Sequence, residues 1–178
     1  MEPENILKGK IAENLVEEML KKAGNKVYRF GSEEVLKNLI QSEKKLDRET
    51  DIGRKIASLP DFIVISQMKK PILVEVKFRT DPEALEEQLL LEKEYLEKFW
   101  EAKIILVTIK KPHFRVLSPP YFIKEKREGW PIPILSWQPI EADLDFGVKY
   151  PVLKNFEKLV EKHYSDKKPN PIRKARTF

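Results

Sequence analysis

Two apolar segments joined by a short linker constrain this chain more than any other part of it. The run PDFIVIS, residues 60–66, contains four consecutive apolar residues, Phe62 to Ile65. That is the pattern of a strand buried on both faces. The linker QMKK, residues 67–70, leads into PILVEVKFR, residues 71–79. There Ile72, Val74, Val76 and Phe78 alternate with Leu73, Glu75, Lys77 and Arg79, the period-two signature of a strand with one apolar face. A linker this short predicts a hairpin. The opposite face of the second strand carries a carboxylate and an ammonium two positions apart, and that pairing calls for an explanation.

The elements around the hairpin follow from periodicity. From Asn5 to Ala23, Ile11, Leu15 and Met19 recur every four residues beside Ala12, Val16 and Leu20, predicting an amphipathic helix closed by Gly24 and Asn25. KVYRF, residues 26–30, reads as a strand. An insertion, residues 31–58, begins with a serine cap and a short helix bearing Leu36, Leu39 and Ile40. Residues 46–59 lack periodicity and read as a loop. After Asp81 and Pro82, a helix is predicted from Glu83 to Glu101, with Leu85, Leu89, Leu96, Phe99 and Trp100 inward. KIILVTI, residues 103–109, is another strand. Nine of the thirteen prolines lie beyond Lys110, so strands of the sheet core are not expected there. Residues 151–164 predict one more amphipathic helix, and 166–178 a basic tail. The division implied is an α/β unit over 1–110 and a proline-rich C-terminal extension over 111–178.

Composition narrows the chemistry. At 178 residues with 41 % hydrophobic content, the chain has enough apolar sequence for a core. It contains no cysteine, which excludes disulfides, zinc–cysteine sites and iron–sulfur clusters. The formal charge of +5 is compatible with a polyanionic partner. No signal-peptide core or membrane-length apolar run is present, and a cytoplasmic protein is expected.

Register decides whether the charged residues meet. If hairpin partners sum to 136 or 138, Asp61 lies beside Glu75 or Lys77 on one face; a sum of 137 separates them, because one step of slip inverts every side chain. In the favourable register two carboxylates converge with a lysine close by. Carboxylate oxygens with a carbonyl and water are what Mg²⁺ or Mn²⁺ prefers, and an ion so held can activate water against a phosphodiester. Lys77 can orient the nucleophile or stabilise developing negative charge.

Pro60-Asp61, followed fourteen residues after the aspartate by Glu75-Val76-Lys77, resembles the PD-(D/E)XK signature of the restriction-endonuclease-like nucleases. GKIAE, Gly9 to Glu13, is similar to the glycine-then-glutamate helix of Holliday-junction-resolvase-like members. The resemblance spans about residues 8–109. It implies a restriction-endonuclease-like αβββαβ core with a mixed sheet flanked by helices. It also implies metal ligands at Asp61, Glu75, the Val76 carbonyl and Glu13, with Lys77 as the catalytic lysine. The chain departs from the pattern in the insertion between its first two strands. Gln88 and Tyr95 stand where some relatives carry a glutamine and a tyrosine, but seven residues apart.

The expectation is therefore a Mg²⁺- or Mn²⁺-dependent endonuclease acting on DNA, with a homodimer as the candidate assembly. Glu17, one turn beyond Glu13, is the alternative acid from the first helix. Arg79 and the tail residues Lys167, Lys168, Arg173, Lys174 and Arg176 are candidates for phosphate contact. His113 and His163 read as surface or structural, and Trp130 and Trp137 as packing rather than base-stacking groups. The rival from another class is a nuclease-like fold serving as a nucleic-acid-binding or assembly module, using the tail and residues 48–55 without hydrolysis.

Overall fold

The computed structural model describes residues 3–31, 49–82, 85–90, 100–123 and 130–164. A first helix, α1 (Pro3–Lys22), is followed by strand β1 (Lys26–Arg29) and helix α2 (Asp51–Ala57). Strands β2 (Phe62–Ile65) and β3 (Pro71–Phe78) come next, then α3, helical over 85–90, and β4 (Lys103–Val107). The C-terminal third adds β5 (Phe114–Leu117), β6 (Phe122–Ile123), β7 (Trp130–Pro131), β8 (Gln138–Pro139) and α4 (Tyr150–Tyr164). Six strands form one sheet in the order β1-β2-β3-β4-β5-β8, and β6 with β7 form a separate two-stranded piece. The β3–β4 pair is parallel and its neighbours are antiparallel, so the main sheet is mixed.

The α1 helix forms where the two apolar rows predict it, and Ala12, Leu15, Val16, Met19 and Leu20 are buried. Gly24 ends it at φ +93°, a left-handed conformation that a side chain would strain. The buried face of α1 packs on Phe62, Val64, Val74 and Val76, and α4 extends this layer with Leu153, Phe156 and Val160. On the opposite face, Leu85 and Leu89 of α3 cover Ile104, Leu106 and Leu117. Each fully buried side chain of this kind contributes about 1.5–3 kcal/mol. β4 is covered on both sides, whereas β2, expected to be buried on both faces, buries Phe62 and Val64 on one face and leaves Ile63 and Ile65 half-buried on the other, because the second apolar cluster covers β4 and β5.

Three further expectations differ from the structure. Residues 51–57, read as loop, are helical: Thr50 caps them by accepting the Gly53 N–H at 3.0 Å, and Asp51 sits in the first turn. Seven residues are too few for apolar periodicity to show. Trp100 and Glu101 lie outside any helix. Sheet strands do not stop at Lys110, because β5 is an interior strand of the main sheet. The prolines frame that strand, Pro112 before it and Pro119-Pro120 after it, and the one proline of β8 lies at the sheet edge, where a missing N–H is harmless. The helix expected in residues 31–45 falls in a stretch outside the described residues. Among the described residues, no helix is long and apolar enough to cross a membrane.

A buried ion pair pins the C-terminal third to the sheet. Asp143, 2 % exposed, accepts from Lys103 Nζ at 2.6 Å and from the backbone N–H of Asp145 at 3.0 Å. Asp145 binds the same ammonium at 2.7 Å. Although burial pulls the other way, these two carboxylates hold the Lys103 pKa above its usual value. Asp143→Ala leaves Lys103 with Asp145 but strips the Asp145 and Phe146 N–H groups of their acceptor, so it is expected to lower stability by about 1–3 kcal/mol, read as a shifted urea midpoint at unchanged m-value.

Candidate active site

The β2–β3 ladder pairs Phe62 with Val74 and Ile63 with Leu73, a sum of 136. Continued one residue, this register sets Asp61 opposite Glu75. Directly opposed residues of antiparallel strands share a face, so Asp61, Glu75 and Lys77 lie on the same side of the sheet.

Asp61 is held from two directions. Its carbonyl accepts the N–H groups of Phe30 at 2.8 Å and Gly31 at 3.2 Å, which carries the β1–β2 pairing past the end of both strands. Its side chain reaches the other way, where Oδ2 accepts the Val76 N–H at 2.7 Å. A carboxylate thus takes the place of the next backbone carbonyl, and β2 and β3 fork. In a strand the N–H and C=O of one residue point to the same side. The Val76 carbonyl therefore faces the fork with the N–H that Asp61 binds.

Lys77 Nζ lies 2.9 Å from Glu75 Oε1, with both side chains mostly buried. Glu13 comes from α1, where Oε2 is 3.2 Å from Lys10 Nζ and 3.8 Å from Arg29 Nη1. Burial first, and the Glu75 charge second, push the Asp61 carboxyl up to about 8; the Val76 N–H and Lys77 oppose the shift, and the Glu13 charge adds to it. Glu17 has other partners. Against the upward push of burial, hydrogen bonds from Lys21 and Arg29 hold its pKa below the usual range. Of the two α1 acids, it is Glu13 whose charge is felt at Asp61.

Other expectations divide. Arg79 folds back onto its own strand, donating to the Phe78 carbonyl at 2.6 Å. His113 is buried, with Nδ1 3.0 Å from the Thr108 carbonyl and Nε2 3.4 Å from Glu161, and His163 is exposed; among the described residues neither belongs to a group of three metal-ligating side chains. Trp137 is buried and donates Nε1–H to the Ile132 carbonyl at 2.9 Å, as a packing residue does. Gln88 is half-buried. Tyr95, the Trp130 side chain and the tail residues Lys167, Lys168, Arg173, Lys174 and Arg176 lie outside the described residues. Sequence reasoning missed Tyr121. Burial pushes its phenol far above the usual range, its OH donates to the Ala102 carbonyl at 2.6 Å, and it feels the Glu75 charge. The motif PPYF gives no hint of that role.

Among the described residues, no three His, Cys, Asp or Glu side chains are gathered closely enough to form a ready metal cluster. Asp61 and Glu75 are opposed across the ladder, and the Glu13 charge acts on Asp61 less strongly than that of Glu75. Two carboxylates and a carbonyl at one corner still fit a hard divalent cation, which needs only one or two protein carboxylates and completes its shell with water. The raised pKa of Asp61 marks the same corner as short of positive charge.

No protein-family model matches this chain, and no curated protein matches its sequence. A solved structure of Archaeoglobus fulgidus Hjc, a Holliday junction resolvase from an archaeal hyperthermophile, aligns with 81 % of this chain and 97 % of its own, at 16 % identity and a TM-score of 0.40. At that TM-score the likeness decides nothing about the chemistry here, which has to be derived from this chain's own residues.

The Asp61 carboxyl keeps its proton to about 8 in the fold and releases it near 3.8 in the unfolded chain. Its contribution to stability is present in full below 3.8 and is lost as the pH rises through about 8, at up to about 1.4 kcal/mol per pH unit. In EDTA, Asp61→Asn, which has no such proton, is expected to melt at a higher temperature than wild type at pH 8, with the gap closing toward pH 4. Mn²⁺ at pH 8 should raise the wild-type midpoint and leave the variant unmoved. Parallel melting curves across this pH range would remove Asp61 as the strained acid.

Proposed function

We propose that this chain is a divalent-metal-dependent nuclease of the restriction-endonuclease-like kind, hydrolysing phosphodiester bonds in DNA as an endonuclease. The observation that carries the reading is the register of β2 against β3, which brings Asp61 beside Glu75 with Lys77 next on the face. In this reading Asp61, Glu75 and the Val76 carbonyl hold the ion, Mg²⁺ or Mn²⁺, and Glu13 adds negative charge behind it. When bound, such an ion polarises a phosphate oxygen and acidifies a water.

The residues themselves do the rest. Glu75 holds the Lys77 ammonium at the mouth of the fork, where it can donate to an attacking water or to the oxygens that gain charge as the phosphorus–oxygen bond breaks. The Val76 N–H fixes one Asp61 oxygen, so the carboxylate cannot rotate away. Val74 and Val76 are buried beneath the corner, and an apolar neighbourhood strengthens the electrostatic contacts made beside it. The basic tail is proposed to add sequence-independent phosphate contacts that weaken with salt, with Arg79 a further candidate. A homodimer would let two such corners act on two strands.

Asp61→Ala, Glu75→Ala and Lys77→Ala are each expected to remain folded and to lose at least about 100-fold in the rate of cutting labelled DNA with Mg²⁺ or Mn²⁺. Glu13→Gln should cost less, since its acid is shared with Lys10 and Arg29. Near wild-type cutting by all three alanine variants would eliminate the site. Salt-sensitive DNA binding with no cutting by wild type and no Mn²⁺ uptake in calorimetry would establish the binding-module reading instead.

A further inference from the structure

On the β1 side of Asp61 lies an aromatic pair that the cleavage chemistry does not use. Phe30 continues the β1–β2 register by one residue, so it stands directly across from Asp61 on the same face as Asp61 and Glu75. Its ring meets that of Trp100 edge-on, with centroids 6.2 Å apart and planes at 88°. Trp100 donates Nε1–H to Ser58 Oγ at 3.3 Å, three residues before Asp61, and Lys55 Nζ lies over the indole, 5.7 Å from its centroid. Both rings remain partly exposed.

Trp137 is an internal standard for a tryptophan used only as packing, since it is 2 % exposed and its N–H is sealed on a backbone carbonyl. Trp100 differs on both counts. Its N–H rests on a hydroxyl, and an ammonium covers its face. A lysine over an indole at an exposed site is weakly held, whereas a nucleobase stacks on such a face more strongly. A nucleotide offers matching partners for the whole arrangement: a π surface for the ring and a phosphate for the ammonium. Gly31 follows Phe30, and a Cβ there would come to 3.8 Å from Asp61 Oδ1. The glycine keeps that flank of the carboxylate clear.

The geometry points to a stacking platform for one unpaired nucleotide beside the cleavage centre, formed by Phe30 and Trp100, with Lys55 on the phosphate of that nucleotide. The inference rests on the nuclease reading and narrows its substrate class. A base in a continuous duplex is already stacked on both sides and cannot occupy the platform, so the preferred substrates carry an unpaired nucleotide next to the cut: single strands, gaps, flaps or branch points.

The test compares the full-length wild type, Phe30→Leu and Phe30→Trp on a continuous duplex and on a gapped duplex of the same sequence, the latter with 2-aminopurine in the gap. Binding and fluorescence are followed in EDTA, and cutting in Mn²⁺. Wild type is expected to prefer the gapped DNA and to change the 2-aminopurine signal on binding. Phe30→Leu should lose about 5- to 150-fold in affinity for gapped DNA together with the signal change, while its affinity for continuous duplex stays the same. Phe30→Trp should restore both. Equal losses on the two DNAs, or no loss, would overturn the platform even if cutting is observed. Absence of cutting together with a fluorescence change that depends on Phe30 would instead overturn the cleavage chemistry and leave the platform standing.

Discussion

The hydrogen bond from the Val76 amide to the Asp61 carboxylate lies where the ladder between β2 and β3 runs out. A backbone carbonyl there would have continued the pairing and produced an ordinary hairpin. A side-chain acceptor satisfies the amide and lets the strands separate, so an acid comes to rest at a corner made of protein on most sides. Burying that acid opposes its ionisation, and the nearby Glu75 and Glu13 charges oppose it further. Strongly displaced acids of this kind concentrate at functional sites.

A more deeply buried acid in the same molecule shows what a structural solution looks like. Asp143 meets a lysine at 2.6 Å and two backbone N–H groups, and that lysine is shared with Asp145. Its charge is fully matched, and it ties the C-terminal third to β4. Asp61 has one N–H and two acids for neighbours, while the nearby lysine is engaged with Glu75. The fold tolerates that imbalance because the layers around the fork are well anchored. Phe78, beside Lys77 on β3, stacks on Tyr164 of α4 at 4.2 Å, and the Tyr164 OH donates to the Lys8 carbonyl of α1 at 2.8 Å. Those contacts tie α1, α4 and the end of β3 together.

The central hairpin was legible because its residues obey a period that only one kind of element satisfies. Val74 and Val76 face α1, and Glu75 and Lys77 face the other way, as alternation requires. The α1 and α4 helices were legible for the same reason, with more than three turns each over which the pattern could repeat. The α2 helix was not, since its evidence is one threonine cap. Strand β5 was hidden by proline counting, which measures a region's average and misses four residues framed by prolines. Phe30 and Trp100 attracted no attention as neighbours because seventy residues separate them and only the sheet brings them together.

The sequence by itself determined which residues could form the strands, which sides of them are apolar, and that Asp61, Glu75 and Lys77 are the charged groups available at the junction. Periodicity and residue chemistry are local properties, carried by the chain whatever its partners. Tertiary structure alone decided that the hairpin pairs with a sum of 136 rather than 137, that Glu13 rather than Glu17 is felt at Asp61, and that an aromatic pair stands next to the acid. Those outcomes depend on register and on how α1 lies across the sheet, and both are set by packing between segments far apart in the chain, where a shift of one residue reverses every face.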